Sequence, residues 1–338
     1  MLRLLRQWSK KAAALPSLVR PAQRGRSRFL GRRFKDSNPT GPTERNRRRE
    51  LDYRLYLPSG SSPRDSLPLI VMLHGCKQDS LLFAEGTRMN ALAEEGRFAV
   101  LYPEQSPRSN QLRCWNWFES DSLAGAGEAA LIARLIVQVT DRRPIDPQRV
   151  YLVGMSAGGA MACVLAARHS RLFAACATHS GVMYGAAHSP LQALAAMRSG
   201  PSAASIEESR RMMREAGEAA VMVPTLVIHG DHDTTVNPAN AQQIIEQLKF
   251  RAEYLDPAAG ALVASAELSI GGDRSYRQQD YTRQGSMVLR KILVEGLAHA
   301  WSGGDNRHEF NDAEGPAASR LILDFLTPYR RETDRVHA

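Results

Sequence analysis

A serine, an aspartate and a histidine stand where nucleophilic attack on a carbonyl would need them. Ser156 lies in Gly154-Met155-Ser156-Ala157-Gly158, Asp233 in His229-Gly230-Asp231-His232-Asp233, and His299 in Leu297-Ala298-His299-Ala300-Trp301. A serine hydroxyl is a poor nucleophile near neutral pH. It needs an imidazole to take its proton, and the imidazole needs a carboxylate to hold its tautomer. Glycines on both sides of Ser156 suit the tight strand-to-helix turn that would raise its hydroxyl. Attack builds negative charge on the carbonyl oxygen, so two backbone N–H groups should face it. Ala157, after the nucleophile, supplies one, and Cys76, on the loop after the apolar run 67–73, supplies the other.

Other residues compete for these roles. Asp231 is a second candidate acid, although its position suits capping the turn. His74, His229 and His232 lie beside the site loops and read as supporting groups, while His169, His179, His188, His308 and His337 read as structural. Trp115 and Trp117 flank Asn116 on a loop, where they either plug the top of the core or line a groove for an apolar acyl or polymer chain. Trp301 reads as a substrate contact, with Tyr184 contributing from the cap side. Cys76 and Cys114 both fall on loops near the site, so a bridge between them is open if the protein meets an oxidising compartment. Cys163 and Cys176 read as small core residues.

Alternating elements must position these groups. Near-continuous apolar runs at 67–73, 98–103, 150–155, 173–178, 225–230 and 287–294 have the pattern of strands buried on both faces. Residues 51–57 alternate like a half-exposed strand. Helical spacing falls at 80–95, 125–140, 158–168, 240–250 and 317–326. The implied fold class is α/β, a mainly parallel sheet with helices on both faces. Residues 184–218 carry no strand signal and read as a small cap-like insertion with at least one charged helix, over 206–218. Residues 253–287 read as a hairpin or excursion. The chain order Ser156, Asp233, His299 is that of an α/β-hydrolase.

Charge divides the chain. Residues 1–50 hold 15 Lys/Arg against 3 Asp/Glu, a net of +12, and the rest hold 29 against 32, a net of −3. Residues 1–47 therefore read as a basic, disordered arm, 48–330 as the catalytic domain and 331–338 as a tail. Leu2, Leu4, Leu5 and Trp8 could form a short amphipathic turn in the arm. Its charge would suit an anionic surface such as a storage granule, without specific nucleic-acid recognition. A secretory signal needs an apolar core of about 7–15 residues, and none is visible. The expected location is cytoplasmic, with a granule-bound form possible and secretion as the alternative. No metal or organic cofactor is implied.

Several further motifs join the triad: Leu73-His74-Gly75-Cys76, Tyr102-Pro103-Glu104-Gln105, Cys114-Trp115-Asn116-Trp117, His179-Ser180-Gly181 and His299-Ala300-Trp301-Ser302-Gly303-Gly304. Together they resemble the poly(3-hydroxybutyrate) depolymerase family of esterases over about residues 50–328. The resemblance implies an α/β-hydrolase with its triad on Ser156, Asp233 and His299, and points to Cys76 in the oxyanion loop. It implies an ester substrate: a short-chain polyhydroxyalkanoate, its oligomers or a small ester. Feruloyl or acetyl esters cleaved by the same mechanism are the alternative, and a non-catalytic granule-surface protein is a third reading.

Overall fold

The apolar run at 67–73 becomes an inner strand of one large sheet because every side chain along it finds a buried face. Leu69, Val71 and Leu73 point into one core cluster, and Ile70 and Met72 into a second cluster on the opposite face. This period-two division is what a strand sandwiched between helix layers requires. The computed structural model describes residues 27–36, 50–216, 220–272 and 274–331.

The chain begins with β1 (Arg28–Lys35), β2 (Glu50–Leu57) and β3 (Leu67–Leu73). Helices α1 (Ser80–Thr87) and α2 (Met89–Gly96) lead to β4 (Ala99–Glu104). The short α3 (Ser120–Leu123) and the long α4 (Gly127–Arg142) precede β5 (Ile145–Met155), α5 (Ala157–Arg168) and β6 (Ala175–His179). Then come α6 (Pro190–Ser199), α7 (Ala203–Glu215), β7 (Thr225–Gly230) and α8 (Ala239–Leu255). Strands β8 (Val263–Ala264), β9 (Leu268–Ile270), β10 (Tyr276–Arg283) and β11 (Ser286–Val294) follow. Short strands β12 (Trp301–Ser302) and β13 (Asn311–Asp312) and the closing α9 (Ala318–Leu326) end the fold.

The sheet has eleven strands in the order β1-β2-β4-β3-β5-β6-β7-β11-β10-β8, with β9 also on β10. The six strands from β4 to β11 run parallel, and β1, β2 and β8 to β10 are antiparallel flanks. Residues of α4, α5 and α8 fill the core on one face, and residues of α1, α2 and α9 on the other. All six catalytic-side strand ends therefore open on one edge of the sheet.

Two expectations change and two gain detail. The body does not begin near Arg48, because Arg28–Lys35 pairs antiparallel with all of β2. Cross-strand charge pairs hold it: Arg33 with Asp52 and Glu50, and Lys35 with Glu50, while Phe34 is buried. The helix at 80–95 is two helices, broken at Arg88, whose φ is 54°. The insertion at 184–218, read as holding at least one helix, carries two, and both pack against α8. The excursion ends in a β10–β11 hairpin whose turn residues, Gln284 and Gly285, have φ of 49° and 79°. Two successive positive φ values match the right-handed strand twist. The amphipathic turn at Leu2–Trp8, His337 and the end of the tail lie outside the described residues.

Candidate active site

Ser156 occupies the junction between β5 and α5 with φ 55° and ψ −121°, a conformation that side chains rarely adopt. Its N–H donates to the His179 carbonyl at 2.9 Å, and its own carbonyl accepts from Ala160 N–H at 2.9 Å. The turn is closed by contact as well as by bonds. A Cβ on Gly154 would lie 2.1 Å from the Gly158 carbonyl oxygen, and one on Gly158 would lie 2.1 Å from that of Leu73. Strand, turn and helix thus meet backbone to backbone, and only glycine fits at either place.

Asp233 and His299 come to Ser156 from the ends of β7 and β11. His299 Nδ1 lies 2.7 Å from Asp233 Oδ2, and His299 Nε2 lies 3.0 Å from Ser156 Oγ. A carboxylate can only accept, so the proton sits on Nδ1 and the Nε2 lone pair faces the serine hydroxyl. Asp233 Oδ1 accepts the N–H groups of Thr235 at 2.9 Å and Val236 at 2.8 Å. Burial alone would raise its pKa. Hydrogen bonds from His229, His299 and Val236 outweigh that and hold the carboxyl well below the usual carboxylate range. The acid is therefore ionised at neutral pH. Asp231 does not reach the imidazole; its Oδ1 accepts Gly296 N–H at 2.7 Å and pins the end of β11.

Two histidines read from sequence as supporting or structural complete the setting. His229 is fully buried, with Nε2 2.8 Å from the Val236 carbonyl and 3.4 Å from Asp233 Oδ2. It steadies the turn that carries the acid. His179 is stacked on Trp301 with ring centroids 5.2 Å apart, and burial lowers its pKa to about 3. It stays neutral, so its Nε2 accepts Ser302 N–H at 3.4 Å and ties β12 beneath His299. The edge of Phe310 faces the His299 ring at 6.5 Å between centroids. His229 has the supporting role read for it from sequence, whereas Phe310 carried no sequence signal, because its partner is distant in the chain.

The loop carrying Cys76 passes beside the nucleophile. A Cβ on Gly75 would lie 3.4 Å from the Ser156 Cβ. Ala157 is the first residue of α5. Cys76 is disulfide-bonded to Cys114, and Cys163 and Cys176 are buried free thiols. Thiol titration of the denatured protein is therefore expected to find two reactive thiols without reductant and four with it. Four before reduction would eliminate the bridge.

Trp115 and Trp117 take the core-plug alternative, and the readings of Trp301 and Tyr184 as substrate contacts require correction. Trp115, Trp117, Tyr184 and Trp301 are 0%, 3%, 0% and 1% exposed, so none offers a ring face to a ligand. Trp115 Nε1 donates to the His74 carbonyl at 3.1 Å, and Trp301 Nε1 donates to Ser319 Oγ at 3.1 Å. The Tyr184 hydroxyl donates to the Leu123 carbonyl at 2.8 Å, and its own carbonyl accepts from Ser209 Oγ at 2.8 Å. Trp117 packs edge-on against Phe118. Loop position suggested exposure. Burial wins because each large ring gains more apolar contact beneath the loop than above it.

Comparison with known proteins places this geometry in context. A family model described as esterase PHB depolymerase matches residues 51–268, more than half of the chain. The match takes in Ser156 and Asp233 and stops short of His299. A poly(3-hydroxyalkanoate) depolymerase C from Paucimonas lemoignei is 35% identical over 196 residues, which is 57% of this chain and 46% of that protein. Feruloyl esterase B from Thermothelomyces thermophilus is 28% identical over 188 residues, 53% of this chain and 64% of that protein. The chain thus spans about half to two thirds of the length of these relatives. Among solved structures, an acetyl xylan esterase from Aspergillus awamori superposes with a TM-score of 0.59 at 20% identity, covering 80% of this chain and 94% of that one. At that identity the likeness bears on the fold, which is that of an α/β-hydrolase.

Proposed function

The chain belongs to the esterase PHB depolymerase family, and from that premise we propose that it is a serine esterase acting on short-chain poly(3-hydroxyalkanoate) or its oligomers. The observation that carries this reading is the unbroken line from Asp233 Oδ2 through His299 to Ser156 Oγ, with contacts of 2.7 and 3.0 Å. In the proposed mechanism His299 Nε2 takes the serine proton as Oγ attacks the ester carbonyl. The Cys76 and Ala157 N–H groups receive the oxyanion. His299 then returns the proton to the departing alkoxide, leaving an acyl-enzyme. A water, deprotonated by the same imidazole, attacks the acyl carbon and frees the acid and Ser156.

A second reading keeps the mechanism and changes the ester to a feruloyl or acetyl group; the relatives named feruloyl esterase and acetyl xylan esterase favour it. We further propose that the basic N-terminal segment, with its net charge of +12 over residues 1–50, attaches the enzyme to an anionic or granule surface. The Cys76–Cys114 bridge supports an oxidising location over the cytoplasmic one.

One panel tests both substrate and attachment: amorphous hydroxybutyrate polymer, its oligomers, p-nitrophenyl butyrate and methyl ferulate, with and without residues 1–26. Soluble hydroxybutyrate products support the first reading. Ferulate release with no hydroxybutyrate product transfers the assignment to the second. Equal adsorption to polymer granules by the shortened chain removes the attachment role.

A further inference from the structure

Glu128 takes no part in the mechanism above, yet three hydrogen-bond donors from the two ends of the β4–α3 loop converge on it. Its Oε1 accepts from Gln105 Nε2 at 2.7 Å and from Asn116 Nδ2 at 2.8 Å, and its Oε2 accepts from Asn116 N–H at 2.8 Å. It stands in the first turn of α4, where unpaired backbone N–H groups favour a negative charge. Gln105 is 2% exposed and Asn116 is 6% exposed, so neither can exchange these bonds for water without opening the loop.

Both ends of this loop act on the oxyanion segment at 74–77. Gln105 N–H donates to His74 Nε2 at 3.0 Å, which requires that nitrogen to be unprotonated. The proton is therefore on Nδ1, which lies 2.7 Å from the Gly75 carbonyl. Burial lowers the His74 pKa and keeps this neutral tautomer. Gln105 Nε2 also reaches the Cys114 carbonyl at 3.1 Å, and Cys114 is bridged to Cys76. Between Cys114 and Asn116, Trp115 donates to the His74 carbonyl. Lys77 N–H donates to the Leu112 carbonyl at 2.7 Å. Loop 74–77 is thus held by segment 105–116, and that segment is fastened to α4 by one carboxylate.

We infer that Glu128 is a positioning residue for the oxyanion hole: it fixes the β4–α3 loop at Gln105 and Asn116, and through that loop the Cys76 N–H. This rests on the serine-esterase reading. A carboxylate is needed because all three partners are N–H donors. An amide at 128 would turn its own NH2 toward one of them, setting donor against donor in a partly buried place. The neighbouring N–H groups would then swing away and take the Cys114–Cys76 link with them. Among the described residues Glu128 makes no bond to Ser156, His299 or Asp233, so the proton relay stays in place. Only the oxygen that becomes charged loses its donor, and it does so in both acylation and deacylation.

The test is Glu128→Gln, with kcat and KM for p-nitrophenyl butyrate, affinity for an aryl trifluoromethyl ketone and a thermal melt. The ketone adds Ser156 and carries an oxyanion, so it reports the hole directly. A displaced donor is expected to lower kcat about 10- to 100-fold, with KM within about 3-fold and ketone affinity reduced by the same factor as kcat. Gln105→Leu cuts three side-chain bonds, to Glu128, Cys114 and Ser106, and keeps the backbone bond to His74. It should show the same signature more weakly, and the two changes together should cost less than the product of their separate effects. If Glu128→Gln does not fold, Gln105→Leu carries the test alone. A folded variant with kcat and ketone affinity within about 3-fold of wild type, or a loss confined to KM, overturns the inference. Wild-type turnover that vanishes in Ser156→Ala keeps the esterase reading whichever way Glu128 falls. A wild-type protein inert toward every ester and the ketone defeats that reading and this inference with it.

Discussion

Ser156→Ala is expected to lower kcat for p-nitrophenyl butyrate by about 10⁶-fold, equivalent to about 8 kcal/mol of activation free energy. The fold should survive the change. Alanine keeps the Cβ, so the φ of 55° is no more strained than before, and the closures at Gly154 and Gly158 do not involve Oγ. The Ser156 N–H and carbonyl keep their bonds to His179 and Ala160. What disappears is the one atom that the His299 lone pair faces. Residual hydrolysis above the buffer rate is expected at about 10³-fold, because the oxyanion donors and the binding surface remain. A fluorophosphonate probe should label the wild type at one site and leave the variant unlabelled. Turnover within 100-fold of wild type in a folded Ser156→Ala protein would assign the nucleophile elsewhere.

Much of this arrangement was legible in sequence, for physical reasons that differ by residue. Ser156 was readable because its turn excludes side chains on both flanks, so geometry is written as Gly-x-Ser-x-Gly. Asp233 and His299 were readable because parallel strands end on one edge, and residues just past β7 and β11 must meet there. The inner strands were readable because burial on both faces demands unbroken apolar runs. Strand β1 was not. Its pattern, Arg-Phe-Leu-Gly-Arg-Arg-Phe-Lys, lies in a basic stretch, and its acidic partners Glu50 and Asp52 become partners only once the hairpin forms. The aromatic residues misled for a related reason: a loop residue near a site can face outward or inward, and composition does not say which. Glu128 gave no signal, because its value lies in three donors that the fold brings from residues 105 and 116.

Asp233→Asn is expected to lower kcat/KM about 10⁴-fold while leaving the protein folded. The reason lies in how the carboxylate is held. Oδ1 already accepts two backbone N–H groups, from Thr235 and Val236. An asparagine placed there must keep its carbonyl oxygen on those donors, so its NH2 takes the position of Oδ2. That position faces His299 Nδ1 at 2.7 Å. Two donors cannot face each other, so the imidazole gives up its Nδ1 proton and carries it on Nε2 instead. Nε2–H then points at Ser156 Oγ and donates to a hydroxyl whose proton it was meant to receive. His229 adds to the effect, since its Nε2, 3.4 Å from Oδ2, also meets the new NH2. The defect is one of proton placement, so Ser156 labelling by the fluorophosphonate should slow in parallel with ester turnover, while ester KM moves little. Turnover within 10-fold of wild type would mean that His299 keeps its tautomer without Asp233, and the carboxylate would then be a structural group of the β7 turn.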